Sequence, residues 1–203
     1  MSRRRLLTAM TASVVVAGGA GCAAERGCSV VGPQPEGDHY RDGAPLRSDI
    51  TEEKSGIPLT LLLLLVDGTS CSPLADAEID VWHADADGVY SDDAEAGTEG
   101  ETFLRGIQRT DDSGACLIRT IFPGFYLGRT CHINVKVRAL SGDELTTQLY
   151  FPRAVILSVA PEYPAIDEYT TNLEDAFYDV DNELEVSGDT LAGLEATAVL
   201  AVG

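Results

Sequence analysis

From residue 57 onward, apolar and polar residues fall into short runs separated by turn formers, the pattern of strands and not of amphipathic helices. Ile57 to Val66 is a long apolar run closed by Asp67-Gly68-Thr69-Ser70, which predicts a buried strand. Further strands are predicted over Ala77 to His83, Phe103 to Thr110, Ala115 to Ile121, Cys131 to Leu140, Thr147 to Phe151 (stopped by Pro152) and Leu194 to Val202. Asp111-Asp112-Ser113-Gly114 reads as a hairpin turn. Asp85 to Ser91 is a turn around Gly88 that carries Tyr90, and Asp92 to Glu101 is an acidic, exposed loop. Pro161 to Asn182 is turn-rich, with one helical turn expected near Leu173 to Tyr178. Many short strands without a long amphipathic helix predict an all-β sandwich of mostly antiparallel strands with long loops.

One stretch organises the rest. From Cys131 the chain alternates, so that His132, Asn134 and Lys136 share one face of a strand and Ile133, Val135 and Val137 the other. Just before it, a turn on Pro123 and Gly124 delivers Tyr126, followed by Gly128 and Arg129. A phenol, an imidazole, an amide and a guanidinium can thus converge on one space. The alternative is an exposed polar face on a half-buried strand.

The N-terminus predicts export. Arg3-Arg4-Arg5-Leu6-Leu7 precedes a small-residue apolar run, Ala9 to Ala20, too short to span a bilayer as an ordinary helix. The paired arginines resemble a twin-arginine leader. Gly19-Ala20-Gly21-Cys22 resembles a lipoprotein processing site with Cys22 as the lipid-bearing residue, the alternative being that Cys22 leaves with a cleaved leader. The expected organisation is a leader over 1–22, a flexible spacer over 23–34 and a folded domain over 35–203, located outside the cytoplasm and tethered to the cell surface. Four cysteines then remain, Cys28, Cys71, Cys116 and Cys131, an even set suited to disulfides in an oxidising compartment, with three pairings open.

Charge narrows the partners. The 203 residues include 33 acidic and 14 basic side chains, a net charge of -19. That excess repels nucleic acid and anionic lipid, so membrane contact is expected only through the lipid anchor. Dispersed acid with only Lys54 and Lys136 as lysines is also the surface of a salt-adapted protein.

The chemistry is narrowed in the same way. Among His39, His83 and His132 no Ser-His-Asp spacing stands out, and no glycine-rich phosphate loop opens a helix. A metal site remains. Phenolate and imidazole together suit a hard trivalent ion such as Fe(III), whereas magnesium or calcium would want carboxylates and carbonyls.

Several ordered segments carry a family resemblance: Asp38-His39-Tyr40-Arg41-Asp42-Gly43-Ala44-Pro45-Leu46-Arg47, Cys71 to Ala77, Val81-Trp82-His83 through Tyr90-Ser91, Phe103-Leu104-Arg105-Gly106, Thr110-Asp111, Ile121 to Val137, and Thr147-Gln148-Leu149-Tyr150-Phe151. From about Pro35 the chain resembles the intradiol ring-cleavage dioxygenases, non-haem Fe(III) enzymes that open catechols between their hydroxyls with O2. The resemblance implies Tyr90 and Tyr126 as phenolate ligands and His132 as an imidazole ligand. It implies Arg129 over the substrate ring, Gln148 orienting that ring and Tyr40 lining the pocket. The substrates would be a small aromatic diol and O2.

Asn134 departs from the pattern, because the family has a second histidine ligand there. The amide leaves either a three-ligand site or a weak fourth ligand, at a cost in metal affinity. His83 is expected to be structural. His39 replaces a residue that is usually aromatic near the site entrance, where it offers a substitute ligand. Trp82 and Phe103 are expected in the core. The competing reading is a β-sandwich that lost its metal and serves as a surface binding module.

Overall fold

A computed structural model describes residues 28, 30–126, 128–163 and 169–203 of the chain. The expected leader over 1–22, including Cys22, lies outside the described residues.

The strands are β1 (Pro58–Asp67), β2 (Glu78–Trp82), β3 (Arg105–Arg109), β4 (Ala115–Ile121), β5 (His132–Arg138), β6 (Glu144–Tyr150), β7 (Glu185–Asp189) and β8 (Gly193–Val202), with a short α-helix, α1 (Arg153–Val159), after β6 and 3-10 turns at Ala160–Glu162 and Val180–Asn182. They form two four-stranded sheets, in the orders β4-β1-β8-β7 and β3-β2-β5-β6. All neighbours pair antiparallel except β1 and β8, which are parallel. The predicted all-β sandwich is the fold.

The two sheets bury one face each against the other. Leu59, Leu61, Leu63 and Leu65 of β1 meet Ile79 and Val81 of β2, Ile133, Val135 and Val137 of β5, and Leu149 of β6 in a single apolar cluster. Burying a leucine or isoleucine completely is worth about 1.5–3 kcal/mol, so these alternating rows fix which way each strand faces. The apolar run of β1 is therefore not buried throughout: Leu62 and Leu64 point to the outer face and stay half-buried.

The outer face of the second sheet is different. Asp80, Trp82, His132, Asn134, Gln148 and Tyr150 alternate with the core residues and so point away from the partner sheet, yet all are buried. They are covered by chain segments. Pro35 lends its carbonyl to Gln148, His39 stacks on Tyr90, and Phe177 lends its carbonyl to Tyr150. The polar face expected on β5 is roofed, which turns a sheet surface into a site.

Several expectations are corrected. The segment expected as a flexible spacer is packed from Val31 on, with its N–H on the Val199 carbonyl at 3.1 Å and the Gln34 N–H on the Thr146 carbonyl at 2.9 Å. Cys28 is disulfide-bonded to Cys71, with Cα atoms 5.7 Å apart. Cys116 and Cys131, counted in the even set suited to disulfides, are buried thiols instead. The helical turn expected near 173–178 is a single turn closed by the Asp175 N–H on the Thr171 carbonyl at 3.1 Å, not continued into a helix, while α1 and β7 lie where no regular element was predicted.

Candidate metal centre

Two loops deliver the tyrosines, and they interlock backbone to backbone. In the turn before Tyr90, one oxygen of the Asp85 carboxylate accepts the N–H groups of Asp87 and Val89 at 3.0 and 2.9 Å. The other oxygen is paired with the Lys54 ammonium at 2.8 Å. Gly88 has a φ of +80°, and a Cβ there would lie 2.1 Å from the Phe125 carbonyl oxygen. A Cβ on Gly124 would lie 2.4 Å from the Ala86 carbonyl oxygen. Only glycine fits at either position, and the closeness it permits sets the two phenol rings edge to face, 5.8 Å between centroids.

His132 opens β5 with its imidazole buried. Nδ1 lies 2.8 Å from the Thr130 carbonyl oxygen, an atom that can only accept, so Nδ1 carries the proton. Nε2 then presents its lone pair, 3.5 Å from the Tyr90 Oη. Burial, reinforced by the Arg129 charge, pushes the imidazole down to about 4, which keeps it neutral and free to donate electrons at neutral pH. Burial also holds the Tyr90 phenol above its ordinary value, opposed by a hydrogen bond from Asn134 and by the Arg129 charge.

Tyr90, Tyr126, His132, Asn134, Arg129 and His39 line one cavity of about 20 Å³. That is room for one water-sized occupant or a metal ion. Among the described residues no group of three His, Cys, Asp or Glu side chains could hold a metal, so a metal here would rest on phenol oxygens. The donor set fits Fe(III): two phenols and a neutral imidazole that presents its lone pair.

Arg129 is clamped in place. Its Nε donates to both carboxylate oxygens of Asp175, at 3.1 and 2.9 Å, and its terminal nitrogen donates to Gln148 Oε1. Asp175 also accepts the Thr130 N–H at 2.9 Å and the Phe177 N–H at 2.9 Å. Asn172 accepts from the Thr130 hydroxyl at 2.7 Å. Neither Asp175 nor Asn172 was signalled by the sequence, because both sit in an acidic, turn-rich segment without periodicity.

The other predicted residues divide. Gln148 is beside the cavity and not in its lining, holding Arg129 with one end and the Pro35 carbonyl with the other, at 2.8 Å. Tyr40, expected to line the pocket, instead packs on Trp82 with centroids 5.0 Å apart and bonds to Arg138. His39 takes the lining position. Trp82 is buried as expected, but on the roofed face, where it lines the cavity. Phe103 is buried in a small cluster with Leu104 and Ile121. His83 is structural, fully buried with Nε2 2.6 Å from the Thr120 hydroxyl and Nδ1 2.8 Å from the Ala84 carbonyl.

A family model described as Dioxygenase matches residues 35–161, more than half of the chain. The chain belongs to the intradiol ring-cleavage dioxygenase family. Within that family it is 32% identical over 145 residues to a chlorocatechol 1,2-dioxygenase of Cupriavidus pinatubonensis, covering 59% of this chain and 54% of the relative. It is 31% identical over 137 residues to a catechol 1,2-dioxygenase of Acinetobacter baylyi, covering 56% of this chain and 44% of the relative. The chain thus spans about half the length of these curated relatives. An intradiol ring-cleavage dioxygenase from Tetranychus urticae superposes with a TM-score of 0.80 at 27% identity, covering 87% of this chain and 95% of that one. The dioxygenase domain of a carbohydrate-binding fusion from Streptomyces sp. SirexAA-E superposes with a TM-score of 0.68 at 32% identity, covering 86% and 99%.

Proposed function

We propose that the protein is an Fe(III)-dependent intradiol dioxygenase that opens a catecholic ring with O2. The observation that carries the reading is the convergence of Tyr90, Tyr126 and the bare Nε2 of His132 on one small cavity beside a clamped guanidinium. Fe(III), when bound by these three side chains, supplies a Lewis-acidic charge and the redox chemistry through which a bound catechol and O2 react.

The side chains supply the rest. Arg129 faces the cavity as a fixed positive charge, and because Asp175 and Gln148 already hold it, it needs no reorganisation to stabilise negative charge on a diol losing its protons. Tyr126 is half-buried where Tyr90 is buried, so it is the more accessible phenol to an entering diol, and as a phenolate on the ferric ion its Oη would accept a hydroxyl proton and become the phenol. The neutral His132 stays a ligand donor throughout, since its other nitrogen is committed to the Thr130 carbonyl.

Action outside the cytoplasm belongs to the same reading. The Cys28–Cys71 disulfide supports it, as does the basic-then-apolar start of the chain with Cys22 as a lipid-bearing anchor residue. The mass of the mature N-terminal peptide tests the anchor.

Asn134 favours a second reading, a binding module that kept the scaffold and lost its metal. One experiment separates the two. Purified protein reconstituted with ferric iron is expected to take up about one equivalent, to show a broad visible tyrosinate band, and to consume O2 when catechol is added. A protein that stays colourless overturns the enzyme reading in favour of the module.

A further inference from the structure

The side chain that breaks the family pattern has a defined job in this structure. The Asn134 Nδ2 lies 3.1 Å from the backbone carbonyl oxygen of Trp82 and 3.3 Å from the Oη of Tyr90. A carbonyl oxygen only accepts, so at that distance the amide must present its NH2 and not its oxygen to Trp82. Trp82 and Asn134 are paired across β2 and β5, which fixes that contact in the sheet register. The second N–H is then aimed at Tyr90. The amide orientation therefore follows from the backbone, and the atom turned toward the phenol is a donor nitrogen, which cannot ligate a cation.

We infer that Asn134 is a hydrogen-bond donor to the Tyr90 phenolate oxygen and not a fourth metal ligand, so that the centre operates with three protein donors, Tyr90, Tyr126 and His132. The inference rests on the Fe(III) reading above and adds a role for the residue that departs from the family. Although it lines the cavity, Asn134 acts on the centre through Tyr90, as a positioning residue that tunes the phenolate. A charge-assisted bond to a buried phenolate is roughly twice as strong as a neutral one. It lowers the energy of the phenolate lone pair, so the visible band, in which that electron density moves to the ferric ion, falls at shorter wavelength than without the bond.

The test compares wild type with Asn134→Leu, which keeps the approximate volume and removes both N–H groups, after ferric reconstitution. The variant is expected to bind iron and to show its visible band shifted to longer wavelength. A band at the wild-type position overturns the inference while leaving the enzyme reading intact. A wild type with no visible band overturns the enzyme reading and the inference with it. Because Asn134→Leu leaves the Trp82 carbonyl without its side-chain donor, a second measurement uses wild type alone. The protein is loaded with Ga(III), a diamagnetic ion of the same charge, and the Asn134 side-chain resonances are followed by NMR. Slowly exchanging amide protons and an unshifted side-chain carbonyl carbon are expected, whereas a large downfield shift of that carbon on metal addition, the mark of oxygen coordination, sinks the proposal.

Discussion

The imidazole of His39 lies flat on the phenol of Tyr90, with ring centroids 4.0 Å apart and planes within 3°. It meets the edge of Tyr126 at 5.8 Å, and its Nδ1 sits 3.5 Å from a carboxylate oxygen of Asp93. The cavity beneath holds only about 20 Å³. A catechol ring needs several times that space, so it enters only if His39 and the residues that roof the cavity with it, Glu36 to Asp38, give way. His39→Ala is accordingly expected to retain the iron band and to lower KM for small catechols by about 2- to 12-fold, the equivalent of the about 0.5–1.5 kcal/mol of one aromatic pair. Steady-state kinetics on the reconstituted enzyme check this, and an unchanged or raised KM removes His39 as an obstacle to the substrate.

Arg129 acts only as well as Asp175 holds it. The Asp175 carboxylate is completely buried and accepts from Arg129, Thr130 and Phe177 together. Asp175→Ala leaves a largely buried guanidinium unpaired and is expected to cost about 3–5 kcal/mol in unfolding free energy. Asp175→Asn keeps an acceptor but not the charge, and is expected to fold, to bind iron and to lose at least about tenfold in kcat, as a displaced stabilising charge would. Denaturation curves and turnover of the two variants give the answer, and full turnover by Asp175→Asn would show that the clamp is dispensable.

How much of this the sequence carried depends on the range of the interaction. The strand period of β5 put His132 and Asn134 on one face, and Ile133, Val135 and Val137 on the other, because that rule is local. Whether the polar face met solvent or a roof was open, since the answer lies with residues 35–39 and 172–177, far away in the chain and without periodicity. Edge strand β7, with only Val186 half-buried in Glu185-Val-Ser-Gly-Asp, has no pattern to find. Helix α1 has an apolar sequence, Arg-Ala-Val-Ile-Leu-Ser-Val, whose β-branched residues read equally well as strand. The resemblance covers His39 and Tyr40 alike and does not say which of two adjacent side chains faces the cavity; the backbone turns His39 toward it and Tyr40 onto Trp82.

The disulfide ties the segment leading to the roof onto the turn after β1. Cys28 and Cys71 are 43 positions apart, and closing a loop of that length is worth about 3–4.5 kcal/mol in the unfolded chain. Reduction, or Cys28→Ser, is expected to lower the thermal midpoint by several degrees. Cys116 and Cys131 are expected to resist alkylation in the folded protein, because both are buried and burial pushes the Cys116 thiol up to about 12 and the Cys131 thiol in the same direction. Thermal melts with and without reductant, followed by thiol counting under native conditions, test both statements. Prompt labelling of two thiols in the native state would contradict the burial.

Asp80 is a liability built into the roofed face. Its carboxyl is almost fully buried under Tyr40, Oδ2 has no hydrogen-bond partner among the described residues, and the nearest charge is the Arg138 guanidinium at 3.8 Å. Burial pushes its pKa up to about 6, against the pull of Arg138 and Arg105. The folded protein therefore holds this proton more tightly than the unfolded chain, where an aspartate titrates near 3.8. The proton's stabilising contribution is fully present below that unfolded value and is lost as pH rises through about 6. Above that range the folded state carries the cost of a poorly solvated carboxylate. Asp80→Asn, which stays neutral, is expected to raise the unfolding free energy by about 1–3 kcal/mol at pH 8 and to leave it nearly unchanged at pH 4. Denaturant titrations at the two pH values decide the matter. An equal gain at both would trace the effect to packing, and a loss at pH 8 would show that the ion pair with Arg138 outweighs desolvation.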